Sequence, residues 1–166
     1  MTRAAGLPAD ARARVITVSD RSHRGERHDA SGPLLSELLT ELGLAVAEVV
    51  VVPDEIEIIE IALRAAIQDG VDVVVTTGGT GLSPRDVTPE ATRRVIDREA
   101  PGLAEALRHY RRDEVPTALL TRAVSGVAGQ TLVVNLPGST GGVKDGVAVL
   151  VPVIGHAIAQ LRGGDH

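Results

Sequence analysis

The run Val71–Thr77 constrains the fold of this chain more than any other feature, because almost all of its residues are apolar or β-branched. Runs of this kind are buried on both faces, which is typical of a central strand in a parallel sheet. Similar runs at 15–18, 45–52 and 131–136 are separated by amphipathic segments with helical spacing. This alternation predicts an α/β fold with a mostly parallel sheet.

Helix signals stand between the predicted strands. Ser31 is a candidate N-cap with Pro33 in the first turn, and Thr88 is another with Pro89 directly after it. Pro152 is expected to bend or break the last helix. The expected helices are Ser31–Gly43, Asp54–Gln68, one opening at Thr88, Leu103–Arg112, a turn or two within Thr117–Val124, and Val143–Leu161.

Length and composition exclude several classes of protein. The chain has 166 residues and a net charge of −5, which suits one domain and disfavours a nucleic-acid binder. It has no cysteine, so thiolate metal sites and cysteine nucleophiles are excluded, and no apolar stretch is long enough to span a membrane. Residues 1–13 lack the apolar segment of a secretory signal and are expected to be a disordered extension of a single domain, 14–166. The expected compartment is the cytoplasm.

The candidate site lies where the predicted strands end. In open α/β sheets, ligands bind at the carboxyl ends of the strands. Four such ends carry polar or glycine-rich loops, at 19–21, 53–54, 76–81 and 135–139. These loops are expected to open on one edge of the sheet.

The loop 76–81 has three glycines and three threonines in six residues. Glycine allows the backbone to approach a ligand and to present N–H groups to an anion. The loop lacks the lysine of a phosphate-binding Walker motif. A tight turn without a ligand fits the spacing nearly as well.

Two carboxylates follow strands on this edge. Asp86 comes after the glycine loop, and if Thr88 caps the next helix, Asp86 is free to hold a hydrated magnesium ion. Asp54 fits the N-cap of a helix, with Glu57 completing a capping-box variant, and it fits a metal-positioning role as well. A solvated loop carboxylate and an alternative helix cap remain open for Asp86. Several cationic residues lie in or beside the loops and could form a local anion site: Arg21, Arg24, Arg85, Arg122 and Lys144.

The segment 76–92, TTGGTGLSPRDVTPEAT, resembles the signature of the MogA/MoaB family of molybdenum cofactor biosynthesis proteins. The resemblance extends from about Arg14 to Leu161. Further matching segments follow in order: Ser19-Asp20-Arg21, Asp29-x-Ser31-Gly32-Pro33, Val52-Pro53-Asp54, Thr121-Arg122-Ala123 and Asn135-Leu136-Pro137-Gly138-Ser139. Thr121 stands where the family commonly has serine, which keeps the hydroxyl.

The resemblance implies a three-layer α/β/α molybdopterin-binding fold, an assembly as a homotrimer, and an enzyme. Its reaction would be transfer of AMP from Mg-ATP to the terminal phosphate of molybdopterin. Asp54 and Asp86 match the family's essential carboxylates and would position Mg²⁺, directly or through water. Nucleotide and pterin would be held by Ser19, Thr77, Gly78, Gly79, Thr80, Gly81, Thr121, Arg122, Pro137, Gly138 and Ser139. A molybdenum-insertion protein would be the partner that receives the product.

Three alternatives remain open from the sequence. The first is a MoaB-type paralogue that binds molybdopterin but adenylylates it poorly. The second is a nucleotide-pyrophosphatase-like domain of the same fold, although Arg85–Pro89 is not the segment expected there. The third is a non-enzymatic scaffold.

Overall fold

The structure of the chain is a computed structural model that describes residues 3–164. These residues form a seven-stranded sheet in the order β2-β1-β4-β7-β6-β5, with β3 also pairing with β1. The strands β1 to β4 and β7 run parallel, and β5 and β6 are antiparallel to their neighbours. Their bounds are β1 Arg12–Val18, β2 Ala45–Val46, β3 Val50–Val52, β4 Val73–Thr77, β5 Arg98–Glu99, β6 Ser125–Ala128 and β7 Thr131–Leu136.

Helices cover both faces of the sheet. On one face α3 and α4 pack over a core that includes Ile16, Val74 and Val133. On the other, α2, α5, α6 and α7 pack over Val15 and Val75. The arrangement is therefore the predicted three-layer α/β/α fold. The helices are α1 Asp20–His23, α2 Ser31–Glu41, α3 Ile56–Gln68, α4 Thr88–Arg93, α5 Gly102–His109, a 3₁₀ helix Pro116–Leu120, α6 Thr140–Leu150 and α7 Ile154–Leu161.

The expected second strand, 45–52, is two short strands, and the expected last helix is two helices. α6 and α7 meet at an angle of 62° beside Pro152, so the predicted break is confirmed. No single helix among residues 3–164 is long and apolar enough to cross a membrane; only this bent pair passes, by length and composition alone.

The predicted helix caps are corrected at two positions. Ser31 is the first residue of α2 and does not cap it; its N–H and that of Gly32 donate to Asp29 Oδ1, at 3.1 and 3.0 Å. Thr88 is likewise inside α4, and its buried hydroxyl donates to the carbonyl of Gly78 at 2.9 Å. In each case the residue forms a hydrogen bond with a partner that the local sequence pattern does not identify.

The expected disorder of residues 1–13 is wrong for the part of this segment that the structure describes, 3–13. The side chains of Ala4 and Leu7 are buried, and the N–H of Ala4 donates to the Leu42 carbonyl at 3.1 Å. The backbone of Ala5 lies so close to Gly155 that a Cβ there would be 2.1 Å from its carbonyl oxygen. A few apolar residues thus hold the segment against α2 and α7; residues 1–2 lie outside the described range.

Asp72 is a buried carboxylate at the opposite end of β4 from the candidate site. It accepts hydrogen bonds from Arg162 Nε and Nη2 at 2.7 and 2.9 Å and from the Arg12 N–H at 2.8 Å. Burial raises the pKa of Asp72, but the Arg162 hydrogen bonds and the Arg12 N–H outweigh it and hold the pKa below its usual range. The ionised form of Asp72 therefore stabilises the folded state.

We expect Asp72→Asn to lower the free energy of unfolding by about 2 kcal/mol at pH 7, because it removes a charged hydrogen-bond acceptor. The folded pKa lies below the unfolded value, about 3.9, so the contribution is present above that pH and is lost as pH falls through the folded pKa. Urea unfolding at pH 7 and at pH 3 checks this. Asp10→Asn is the control, since its largely exposed carboxylate pairs with the same arginine. Equal losses at both pH values would contradict the assignment.

Candidate active site

The carboxyl ends of β1, β3, β4 and β7 open into one cavity of about 810 Å³. The four loops that the sequence places at one edge of the sheet therefore do meet. Asp54 and Asp86 both line the cavity, together with ten of the eleven predicted binding residues: Ser19, Thr77, Gly78, Gly79, Thr80, Gly81, Thr121, Pro137, Gly138 and Ser139. Arg122 is the predicted binding residue that does not line it.

The glycine loop is packed too tightly for any side chain at its first two glycine positions. Gly78 has φ +102° and Gly79 has φ +65°. A Cβ on Gly78 would lie 2.3 Å from the Val18 carbonyl oxygen, and one on Gly79 would lie 2.3 Å from Thr88 Oγ1. The glycines thus let the loop pass between β1 and α4 while it still forms one wall of the cavity.

The loop after β7 forms the adjoining wall. Thr77 Oγ1 donates to the Pro137 carbonyl at 2.9 Å, which ties this loop to the end of β4. Ser139 is the N-cap of α6, because its hydroxyl accepts the Gly142 N–H at 3.0 Å. The N-terminus of an eleven-residue helix therefore faces the cavity, and such a terminus favours anions.

Asp54 does not cap α3. The N-cap position belongs to Glu55 and has no side-chain cap. Asp54 Oδ2 instead accepts the Asp20 N–H at 2.8 Å, and Asp54 Oδ1 accepts no hydrogen bond from the described residues. The capping interpretation is wrong here, and the side chain is directed to the cavity.

The surroundings of Asp54 disfavour its negative charge. Burial raises the pKa of Asp54, and the charges of Asp20 and Asp86 raise it further. The Asp20 N–H and the charge of Arg85 oppose these effects without cancelling them. A carboxylate in a cavity whose negative charge is disfavoured by its surroundings is a candidate for a functional role, such as binding a cation.

Asp86 is not needed as a helix cap either. Its Oδ2 accepts the Ser83 N–H at 3.0 Å within the loop, and its Oδ1 accepts no hydrogen bond from the described residues. Asp54 and Asp86 therefore each present one uncommitted oxygen. Residues 3–164 contain no group of three or more candidate metal ligands. Mg²⁺ usually takes only one or two carboxylates and completes its shell with water and substrate phosphates, so the two residues fit it.

The arginines predicted to form an anion site are mostly committed to other partners. Arg122 donates through Nε to the Gly81 carbonyl at 2.9 Å and through Nη2 to the Asp86 carbonyl at 2.5 Å, and it pairs with Glu90. It supports the glycine loop from outside the cavity. Arg24 pairs with Glu26. Like Arg122, the other predicted cationic residues do not line the cavity: Arg21, Arg24, Arg85 and Lys144.

Sequence reasoning missed two arginines that do line the cavity, Arg27 and Arg111. Arg111 pairs with Glu114 and lies 3.6 Å from Asp145 on α6. No local motif surrounds either residue, so only the packing of α5 beside α6 could have identified Arg111. Asp29 was also missed as a lining residue; besides the N–H groups that begin α2, its carboxylate accepts the Thr17 hydroxyl at 2.6 Å.

Comparison with known proteins gives consistent matches. A family model described as a probable molybdopterin binding domain matches residues 14–156. A molybdenum cofactor biosynthesis bifunctional protein of Synechococcus elongatus is 41% identical over 161 residues, which are 97% of this chain and 50% of that protein. The chain thus spans about half the length of that relative.

Two further matches cover most of both chains. A molybdopterin adenylyltransferase of Pyrococcus furiosus is 44% identical over 153 residues, 89% of each chain. The crystal structure of the molybdopterin biosynthesis enzyme MoaB from Thermus thermophilus superposes with a TM-score of 0.87 at 45% identity. The match covers 92% of this chain and 97% of that one.

Proposed function

This chain belongs to the MogA/MoaB family of molybdenum cofactor biosynthesis proteins, and we propose that it is an enzyme of that family, a molybdopterin adenylyltransferase. The observation that carries the proposal is the placement of Asp54 and Asp86. They come from loops after different strands, face one cavity, and stand beside a glycine loop and a helix N-terminus. Relatives at 36–44% identity bear the name of this activity.

In the proposed reaction, an oxygen of the terminal phosphate of molybdopterin attacks the α-phosphorus of ATP. A new phosphorus–oxygen bond forms, the bond from the α-phosphorus to the bridging oxygen of the β-phosphate breaks, and pyrophosphate leaves. Such transfers need the phosphates held in line and their charge neutralised, with little covalent help from the protein. No residue has to act as a nucleophile.

Different residues of the cavity would have different roles in this reaction. Asp54 and Asp86 would hold Mg²⁺, which when bound neutralises charge on the triphosphate. The backbone N–H groups of the glycine loop and of the α6 N-terminus would orient phosphate oxygens. The loop 137–139 packs against Gly78, so both walls keep a fixed spacing. A cavity of about 810 Å³ lies within the range for sites that hold sizeable ligands.

A MoaB-type protein that binds molybdopterin and adenylylates it poorly is the second candidate, favoured by the similarity to MoaB of Thermus thermophilus. Incubating the purified chain with molybdopterin, ATP and Mg²⁺ separates the two. Mass spectrometry should detect adenylylated molybdopterin and pyrophosphate in equal amounts. Tight molybdopterin binding without product would favour the second candidate.

We also propose that the chain forms a homotrimer, and an apolar groove of about 750 Å³ supports self-association. The groove runs between α5 and the α6–α7 bend and contains Leu103, Tyr110, Val149, Val153 and Leu161. The groove is lined almost entirely by apolar side chains, which a second copy of the chain could cover. Handover of the product to a molybdenum-insertion protein, and a cytoplasmic location, remain predictions.

Sedimentation velocity at micromolar concentration should give a single species of about three times the 17.2 kDa chain mass. Val153→Glu, which places a charge in the groove, should shift the distribution towards monomer, because a buried unpaired charge destabilises an interface. Ile61→Glu is the control, since Ile61 is exposed on α3, on the other side of the sheet. A wild-type chain that stays monomeric would exclude the trimer.

A further inference from the structure

We infer that Asp20 and Arg85 act as a pair of positioning residues that fixes the two metal-facing carboxylates relative to each other. The inference rests on the proposed function, because it concerns the geometry of the same site. Neither residue lines the cavity. Both act through Asp54 and through the loop that carries Asp86.

Asp20 and Asp54 hold each other by a reciprocal pair of hydrogen bonds. The N–H of Asp20 donates to Asp54 Oδ2 at 2.8 Å, and the N–H of Asp54 donates to Asp20 Oδ1 at 3.0 Å. Each carboxylate is thus bound to the backbone of the other residue. Since one oxygen of Asp54 is fixed in this way, the direction of its second oxygen is fixed as well.

Arg85 extends this arrangement to the glycine loop. Its Nε donates to Asp20 Oδ2 at 3.0 Å, and its Nη2 lies 2.9 and 2.8 Å from Oδ1 and Oδ2. Arg85 directly precedes Asp86, so this two-sided contact sets the position of the backbone from which Asp86 projects. A guanidinium holds a carboxylate in a defined plane, which a lysine cannot do.

The strand order explains why Asp20 has this role. β1 lies between β3 and β4, so the residue that follows β1 stands between the residues that follow its two neighbours. Both oxygens of Asp20 are occupied by Arg85 and the Asp54 N–H, so Asp20 is not itself available as a metal ligand. Asp20 adds negative charge beside Asp54, and Arg85 offsets it.

The test compares Asp20→Asn and Arg85→Met with the wild type by two measurements. The first is the Mg²⁺ concentration that half-saturates adenylylation, measured with the KM for molybdopterin. The second is independent of turnover: Mn²⁺ binding in the presence of α,β-methylene-ATP, followed by electron paramagnetic resonance. Arg93→Met is the matched control, because Arg93 is similarly exposed (51% against 59% for Arg85) and pairs with Glu99 away from the cavity.

We expect Asp20→Asn and Arg85→Met each to weaken Mn²⁺ binding and raise the half-saturating Mg²⁺ concentration about tenfold, with the KM for molybdopterin and the thermal midpoint unchanged. Arg85→Lys should bind Mn²⁺ more tightly than Arg85→Met but more weakly than the wild type. The double variant should be no worse than the poorer single variant, because the two residues act as one unit. Arg93→Met should match the wild type.

Unchanged Mn²⁺ binding in both single variants, or losses that add in the double variant, would overturn the inference. If Asp20→Asn lowers the thermal midpoint, its Mn²⁺ binding no longer separates a positioning role from a loss of stability. Mn²⁺ binding by Arg85→Lys then decides between the two, because Arg85 is at the surface and its substitution should not unfold the chain. A wild type that binds Mn²⁺ with the nucleotide analogue but makes no product would contradict the proposed function alone. The Mn²⁺ comparison would then still decide whether Asp20 and Arg85 position the carboxylates.

Discussion

Asp86→Asn is expected to reduce adenylylation by at least about a thousandfold while leaving the fold intact. A carboxylate that positions a metal contributes several kcal/mol to transition-state stabilisation, and ~4 kcal/mol corresponds to about that factor. Asparagine keeps the size of the side chain, and its Oδ1 can still accept the Ser83 N–H. Asp86 caps no helix, so α4 loses nothing. Rate and thermal midpoint are measured on the same sample.

The matched control for this variant is Asp97→Asn. Asp97 Oδ2 accepts the Gly129 N–H at 2.6 Å, the same kind of loop contact that Asp86 makes with Ser83, and Asp97 does not line the cavity. Its substitution removes one negative charge from the chain and should leave the rate unchanged. A wild-type rate in Asp86→Asn would remove Asp86 from the site.

The central part of the fold was predictable because it depends on local pattern. β7 has its predicted bounds, and β4 lies within Val71–Thr77, since a run of buried apolar residues has few alternatives. β5 and β6 were missed for a physical reason. β5 has two exposed residues and β6 contains Gly126, so their pairing depends on neighbouring strands and not on their own composition.

The candidate site was predictable as far as it follows from strand ends. Parallel strands bring their following loops to one edge, so the sequence could place Asp54 and Asp86 together. The side-chain partners could not be predicted in this way. Asp20 and Asp54 are 34 residues apart in the sequence, and Arg122 reaches Asp86 across 36. Which arginine supports a loop and which faces a ligand is decided by tertiary packing.

Asp54→Asn should strongly reduce adenylylation and should leave the thermal midpoint unchanged or raise it. The folded state raises the pKa of Asp54, through burial and the charges of Asp20 and Asp86, so the ionised side chain costs stability at pH 7. Asparagine removes that cost, and its Oδ1 can still accept the Asp20 N–H. A loss of activity of about a thousandfold is expected on the same grounds as for Asp86.

Asp54→Ser distinguishes this explanation from a structural one. Serine is a good N-cap, so it would preserve any capping function, but it supplies no charge and is too short to keep the hydrogen bond with Asp20. If Asp54 holds a cation, both variants lose activity, and only the serine variant loses stability. If both variants kept the wild-type rate, Asp54 would be a structural residue. Its negative charge would then lower the stability of the chain without being needed for catalysis. Activity lost in the serine variant but kept in the asparagine variant would mean that the hydrogen bond with Asp20, and not the charge, is what the site requires.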